Sequence, residues 1–187
     1  MKLLAIDTST EYATVALVTE GMVTEKSHSA QRQHAQLLLP MIDELLVDAG
    51  VSLSQLDGIV FGCGPGSFTG LRITCSIAKG LAYAHDLPLF PASSLETIAA
   101  KTLDEYPDHA VLAMIDARMN QVYWRYFSPN ALYSTERVSF VQDISVNDEA
   151  NIVLAGVGFE AYLDQIPLTL AKKIIQKKQQ FPSAATM

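Results

Sequence analysis

Apolar and polar positions along the chain spell an alternating α/β pattern. Residues 3–6 are a short apolar run that ends at Asp7, the mark of a buried strand. Residues 12–18 alternate, Gly21 marks a tight turn, and 22–27 read as a third strand. Apolar positions then recur at helical spacing over 32–49 and stop at Gly50. A strand at 58–61 runs into the stretch GCGPGSFTGLR, residues 62–72, and a helical pattern follows as far as His85. A short strand is expected over 87–91. Ser93 or Ser94 then caps a helix that runs to Tyr106, where Pro107 ends it.

The pattern restarts after that proline. Residues 110–127, AVLAMIDARMNQVYWRYF, echo residues 2–18, KLLAIDTSTEYATVALV. In both, an apolar strand ends in Ile-Asp, a short polar turn follows, and a second apolar strand begins. Residues 152–160, IVLAGVGFE, echo 59–67, IVFGCGPGS, each an apolar strand that enters a Gly-x-Gly turn. Two echoes in the same order point to an internal duplication. Two related α/β lobes are therefore expected, over 1–100 and 108–187. The second is the smaller. After Gly158 only a helix or two fit, and FPSAATM reads as the start of a helix, so this lobe is expected to be incomplete.

Two helices carry more than a core needs. In the first, Leu37, Leu38, Leu39, Met41, Ile42, Leu45, Leu46 and Ala49 sweep a contiguous arc of about 200°, where one core-facing stripe takes roughly 100°. The surplus flank implies either a core of its own or a partner, and the partner is favoured. The second helix repeats small residues every four positions: Gly70, Thr74, Ala78, Ala82, with a parallel row Ser76, Gly80, Ala84. Small side chains let another backbone approach closely. A glycine inside a helix costs about 1 kcal/mol against alanine, so Gly70 and Gly80 imply a compensating contact.

Composition narrows the setting. A chain of 187 residues buries roughly 70% of its unfolded surface and needs no disulfide staple. Its net charge of −7 argues against gripping nucleic acid unaided, since phosphate binding runs on Lys and Arg. The basic cluster Lys172, Lys173, Lys177 and Lys178 reads as a solvated helix face. Cys63 and Cys75 form neither a CxxC pair nor a disulfide framework, as expected of reduced thiols in a cytoplasmic protein. The N-terminal apolar run is cut at Asp7, unlike a signal peptide, and no stretch approaches the ~20 apolar residues of a membrane span.

Candidate chemistry centres on two carboxylates and one glycine loop. Asp7 and Asp116 each end a strand, where actin-like ATPases place carboxylates that hold metal and phosphate. The turns that follow, Asp7-Thr-Ser-Thr-Glu11 and Asp116-Ala-Arg-Met-Asn120, lack the glycine that lets backbone approach phosphate. Asp7 could equally accept turn amides as a structural Asx-turn. The loop at 62–72 is no Walker A sequence, since it has no lysine after its last glycine, and its spacing G-x-G-x-x-x-G misses the dinucleotide pattern. Ser67 opens a helix, where free amides favour an anion or where the side chain simply caps. Asp7, Gly66, Ser67 and Arg72 are thus the candidate anion site, with a structural turn as the alternative. His28, His34, His85 and His109 show no metal-ligand spacing, so no metal site is expected. Ser67 stands outside G-x-S-x-G, so no nucleophile elbow is expected either.

Taken together, AIDTST, HAQLLLP, GPGSFTGLRI, GLAYAHDLPL, SSLETIA, IDARMNQVYW and FPSA resemble the TsaB (YeaZ) family over nearly the whole chain. The resemblance implies the actin-like ASKHA fold, related to ribonuclease H, in two duplicated lobes. It implies a cytoplasmic, non-catalytic platform subunit for N6-threonylcarbamoylation of the tRNA adenosine 3′ of the anticodon. Such a subunit pairs with and activates the paralogous TsaD-type transferase, helps recruit a TsaE-type ATPase, meets tRNA mainly through the complex, and forms a homodimer when alone. TsaD-type chains carry Asn-His-x-x-x-His after the strand that follows the glycine loop. Here Ser94 and Ile98 stand at the ligand positions, so that metal site is lost. No cofactor of its own is implied, although a nucleotide at the partner interface is compatible. The pairing surface implied is that of the first-lobe helices: His34, Leu37, Leu38, Met41, Leu45, Gly70, Thr74, Ala78 and Ala82. A charge placed at Leu37 or Ala78 is then expected to abolish pairing while the monomer stays folded. The competing readings are a free-standing actin-like ATPase or small-molecule kinase and, more distantly, a peptidase.

Overall fold

The computed structural model describes residues 1–29, 33–128, 134–146 and 150–187. Arg32, the expected first position of the first long helix, lies outside them. The chain forms two units, Met1–Thr97 together with Pro182–Met187, and Ile98–Phe181. The closing residues, expected in the second lobe, therefore cluster with the first.

The first unit is built on β1 (Lys2–Asp7), β2 (Tyr12–Thr19), β3 (Met22–Ser29), α1 (His34–Ala49), β4 (Gly58–Gly64), α2 (Phe68–His85) and β5 (Leu89–Ser93). Its sheet runs β3-β2-β1-β4-β5. β1 pairs antiparallel with β2 and parallel with β4. Side chains alternate across a strand, so Leu4 and Ile6 enter the core with Val15, Leu17, Leu38, Leu45 and Ile59. Ala5, on the opposite face, meets Ala16 and Ala184. Helix α1 stops where the sequence predicts. Gly50 adopts the left-handed conformation at φ 63°, its amide bonds to the Val47 carbonyl, and Val51 bonds to Leu46 at 3.0 Å.

Helix α3 (Ser94–Glu105) crosses the division and leads into the second unit. That unit holds β6 (Ala110–Arg118), β7 (Gln121–Phe127), β8 (Arg137–Phe140), β9 (Ile152–Val157), the short α4 (Leu168–Ala171) and β10 (Ile174–Gln179). Its sheet order, β10-β9-β6-β7-β8, is the first sheet read from the other edge, with the same parallel and antiparallel pairings. The duplication in the sequence is thus a duplication of topology. Leu112, Met114, Trp124, Leu154, Phe159 and Tyr162 fill the core of this unit.

Two edge strands escape a sequence reading. β8 has only four residues, and β10 reads IIQKKQ, too polar to signal a strand. More fits after Gly158 than a helix or two: a 3-10 turn at Phe159–Gln165, α4 and then β10. Lys177 and Lys178 consequently stand on a strand, not on a helix face, and Lys178 pairs with Glu105. Lysines on an outer strand discourage unwanted strand addition.

The closing residues are tied to the first sheet by side chains. The Ser183 hydroxyl donates to Glu25 Oε1 at 2.6 Å, the Ala185 amide donates to the same oxygen at 3.2 Å, and the Ala184 amide donates to Thr14 Oγ1 at 3.1 Å. Glu25→Ala removes one acceptor that serves two donors. It should cost about 1 kcal/mol in urea unfolding and strip hydrogen-exchange protection from Ala185. Unchanged protection would show that Ala184 packing alone holds the segment.

Candidate functional site

In the first unit the turn after β1 closes against the glycine loop. Asp7 is 1% exposed. Its Oδ1 accepts from the Ser9 amide at 2.8 Å and the Ser9 hydroxyl at 2.7 Å, the Asx-turn arrangement. Its Oδ2 has no hydrogen-bond partner among the described residues and faces Gly62, where an added Cβ would lie 1.8 Å away. Burial pushes the Asp7 carboxyl from 3.8 up to about 6, against the two Ser9 hydrogen bonds that hold it down.

The glycines serve close approach. A Cβ on Gly66 would lie 2.3 Å from the Ser9 carbonyl oxygen, and one on Gly70 1.8 Å from that of Thr8. The Ser67 amide bonds to the Ser9 carbonyl at 2.7 Å, and the Ser67 hydroxyl accepts from the Gly70 amide at 3.3 Å. Thr8 Oγ1 donates to the Gly70 carbonyl at 2.8 Å and lies 2.7 Å from Thr74 Oγ1. Arg72 holds its guanidinium 3.9 Å above the Phe68 ring. Asp7, Gly66 and Ser67 therefore gather around one turn while Arg72 stays exposed on its own helix, and Asp7 is sealed and Ser67 is committed to its neighbours. The geometry favours the structural alternative.

The two helices correct the expected pairing surface. Leu38, Met41, Leu45, Gly70, Thr74, Ala78 and Ala82 face inward, into the unit's own core, and His34 is buried beside them. Leu37 is half-buried. Ala78 is 0% exposed, so a glutamate there would bury a charge and unfold the unit. Periodicity gave both rows of α2, and the one named for pairing on the strength of the family resemblance is the row packed inward, because an α-helix packed on a twisted sheet also uses small residues for close approach. The outward face of α2 carries the second small row, Ser76, Gly80 and Ala84, with Tyr83 at 93% exposure and Ile73 and Ile77 half-buried alongside. On α1, Leu39 and Val47 are exposed. That second row was visible in the sequence; which row faced solvent was not.

The second unit repeats the strand–Asp unit with different surroundings. The Tyr162 hydroxyl donates to Asp116 Oδ1 at 2.8 Å, the Arg118 amide donates to the same oxygen at 2.8 Å, and Arg118 Nη1 lies 3.4 Å from Oδ2. Asp116 is thereby engaged within its own unit. Asp116 beside it holds the Tyr162 phenol above its usual range. Ser94 and Ile98 are both 0% exposed, and their single hydroxyl and hydrocarbon offer a metal little. Among the described residues no group of three His, Cys, Asp or Glu side chains is arranged to hold a metal ion, and no helix is long and apolar enough to cross a membrane.

The model of the family described as TsaD, tRNA N6-adenosine threonylcarbamoyltransferase, matches residues 12–141. The tRNA threonylcarbamoyladenosine biosynthesis protein TsaB of Haemophilus influenzae is 40% identical over 175 residues, which cover 87% of this chain and 74% of that protein. TsaB of Escherichia coli is 37% identical over 172 residues, covering 88% of this chain and 74% of its own. The solved structure of YeaZ from Pseudomonas aeruginosa superposes with a TM-score of 0.90 at 38% identity, covering 99% of this chain and 87% of that one.

Proposed function

The chain belongs to the TsaB family, and we propose that it serves tRNA threonylcarbamoyladenosine biosynthesis as a non-catalytic platform subunit. In this reading it binds and activates a TsaD-type paralogue, helps recruit a TsaE-type ATPase, and pairs with itself when alone. It works in the cytoplasm and leaves most tRNA contact to the complex, in keeping with its net charge of −7.

The observation that carries the proposal is the outward face of α2. Ser76, Gly80 and Ala84 form an exposed low ridge beside the half-buried Ile73 and Ile77, and Tyr83 stands free next to them. Exposed glycine inside a helix is unfavourable in a monomer, and a second helix laid along the ridge would compensate for it. An exposed tyrosine suits the centre of such a contact. A role in nucleotide chemistry is disfavoured by the sealed carboxylate of Asp7 and by the occupied Asp116.

Light scattering of the purified chain, alone and mixed with the TsaD-type paralogue, tests the reading. Ser76→Glu and Gly80→Glu place a charge on the ridge without entering the core. Each should weaken heterodimer formation by about a hundredfold or more while the melting curve stays close to the parent's. Normal pairing by both variants would move the interface elsewhere. Substrate-dependent phosphate release by the lone chain would replace the platform reading with the kinase one.

A further inference from the structure

We draw no further inference here: the strongest candidate, the exposed apolar strip at the edge of the second sheet where Val138 and Phe140 of β8 lie beside Tyr123 of β7, carries nothing, because nothing in the structure shows what covers it.

Discussion

Gly70→Ala is expected to destabilise the chain by about 4 kcal/mol or more, enough to leave much of it unfolded. An alanine Cβ would lie 1.8 Å from the Thr8 carbonyl oxygen and 2.9 Å from its carbon, both backbone atoms. Neither side can retreat easily. Thr8 is held to α2 by its own hydroxyl, which donates to the Gly70 carbonyl at 2.8 Å and lies 2.7 Å from Thr74 Oγ1. Overpacking a core usually costs about 1–3 kcal/mol, and a clash with fixed backbone belongs at the top of that range or above it. Gly80→Ala is the matched control. Outside its own helix backbone, none of the described residues comes within 4 Å of its added Cβ, and alanine should gain about 1 kcal/mol in helix propensity. Urea unfolding of both variants reads the difference directly. Equal, small effects would mean that the turn after β1 is not locked to α2.

Asp7→Asn should make the chain more stable at neutral pH and flatten part of its acid dependence. Burial raises the Asp7 carboxyl from 3.8 to about 6, so the folded chain binds that proton more tightly than the unfolded chain does. The stability this group contributes is complete below its unfolded value and is lost as pH rises through 6. The shift corresponds to about 3 kcal/mol. Asparagine imitates the protonated acid, and its carbonyl oxygen still accepts from the Ser9 amide and hydroxyl. The variant should therefore gain on the parent by about 3 kcal/mol between pH ~4 and ~7. Urea unfolding at a series of pH values measures the gain, and a constant difference would show that Oδ2 is solvated after all. The same variant separates the functional readings, since the kinase reading requires loss of turnover and the platform reading requires normal pairing.

Much of the fold is legible in the residues. The apolar run before Asp7, the alternation after Tyr12 and the stop at Gly50 each report a local rule that the tertiary structure leaves in force. The repeated Ile-Asp and Gly-x-Gly units announce the duplication, because both sheets need the same strand–turn–strand geometry. The edge strands are less legible. β10 pairs on one side only and exposes Ile175, Gln176 and Lys177, so its sequence carries no continuous apolar signal.

The candidate sites divide along the same line. Ser67 as a helix cap and Asp7 as an Asx-turn are local arrangements, and local sequence determines them. The sequence by itself also determines that α2 has two small-residue rows, since that follows from spacing alone. Which row meets the sheet is decided by the register between α2 and the turn after β1, where Gly70 admits the Thr8 carbonyl and turns Thr74, Ala78 and Ala82 inward. Likewise, two Asp-ended strands are plain in the sequence. Only the tertiary structure buries one carboxylate behind Gly62, ties the other to Tyr162, and leaves Met119 in solvent, because burial is a property of neighbours distant in the chain.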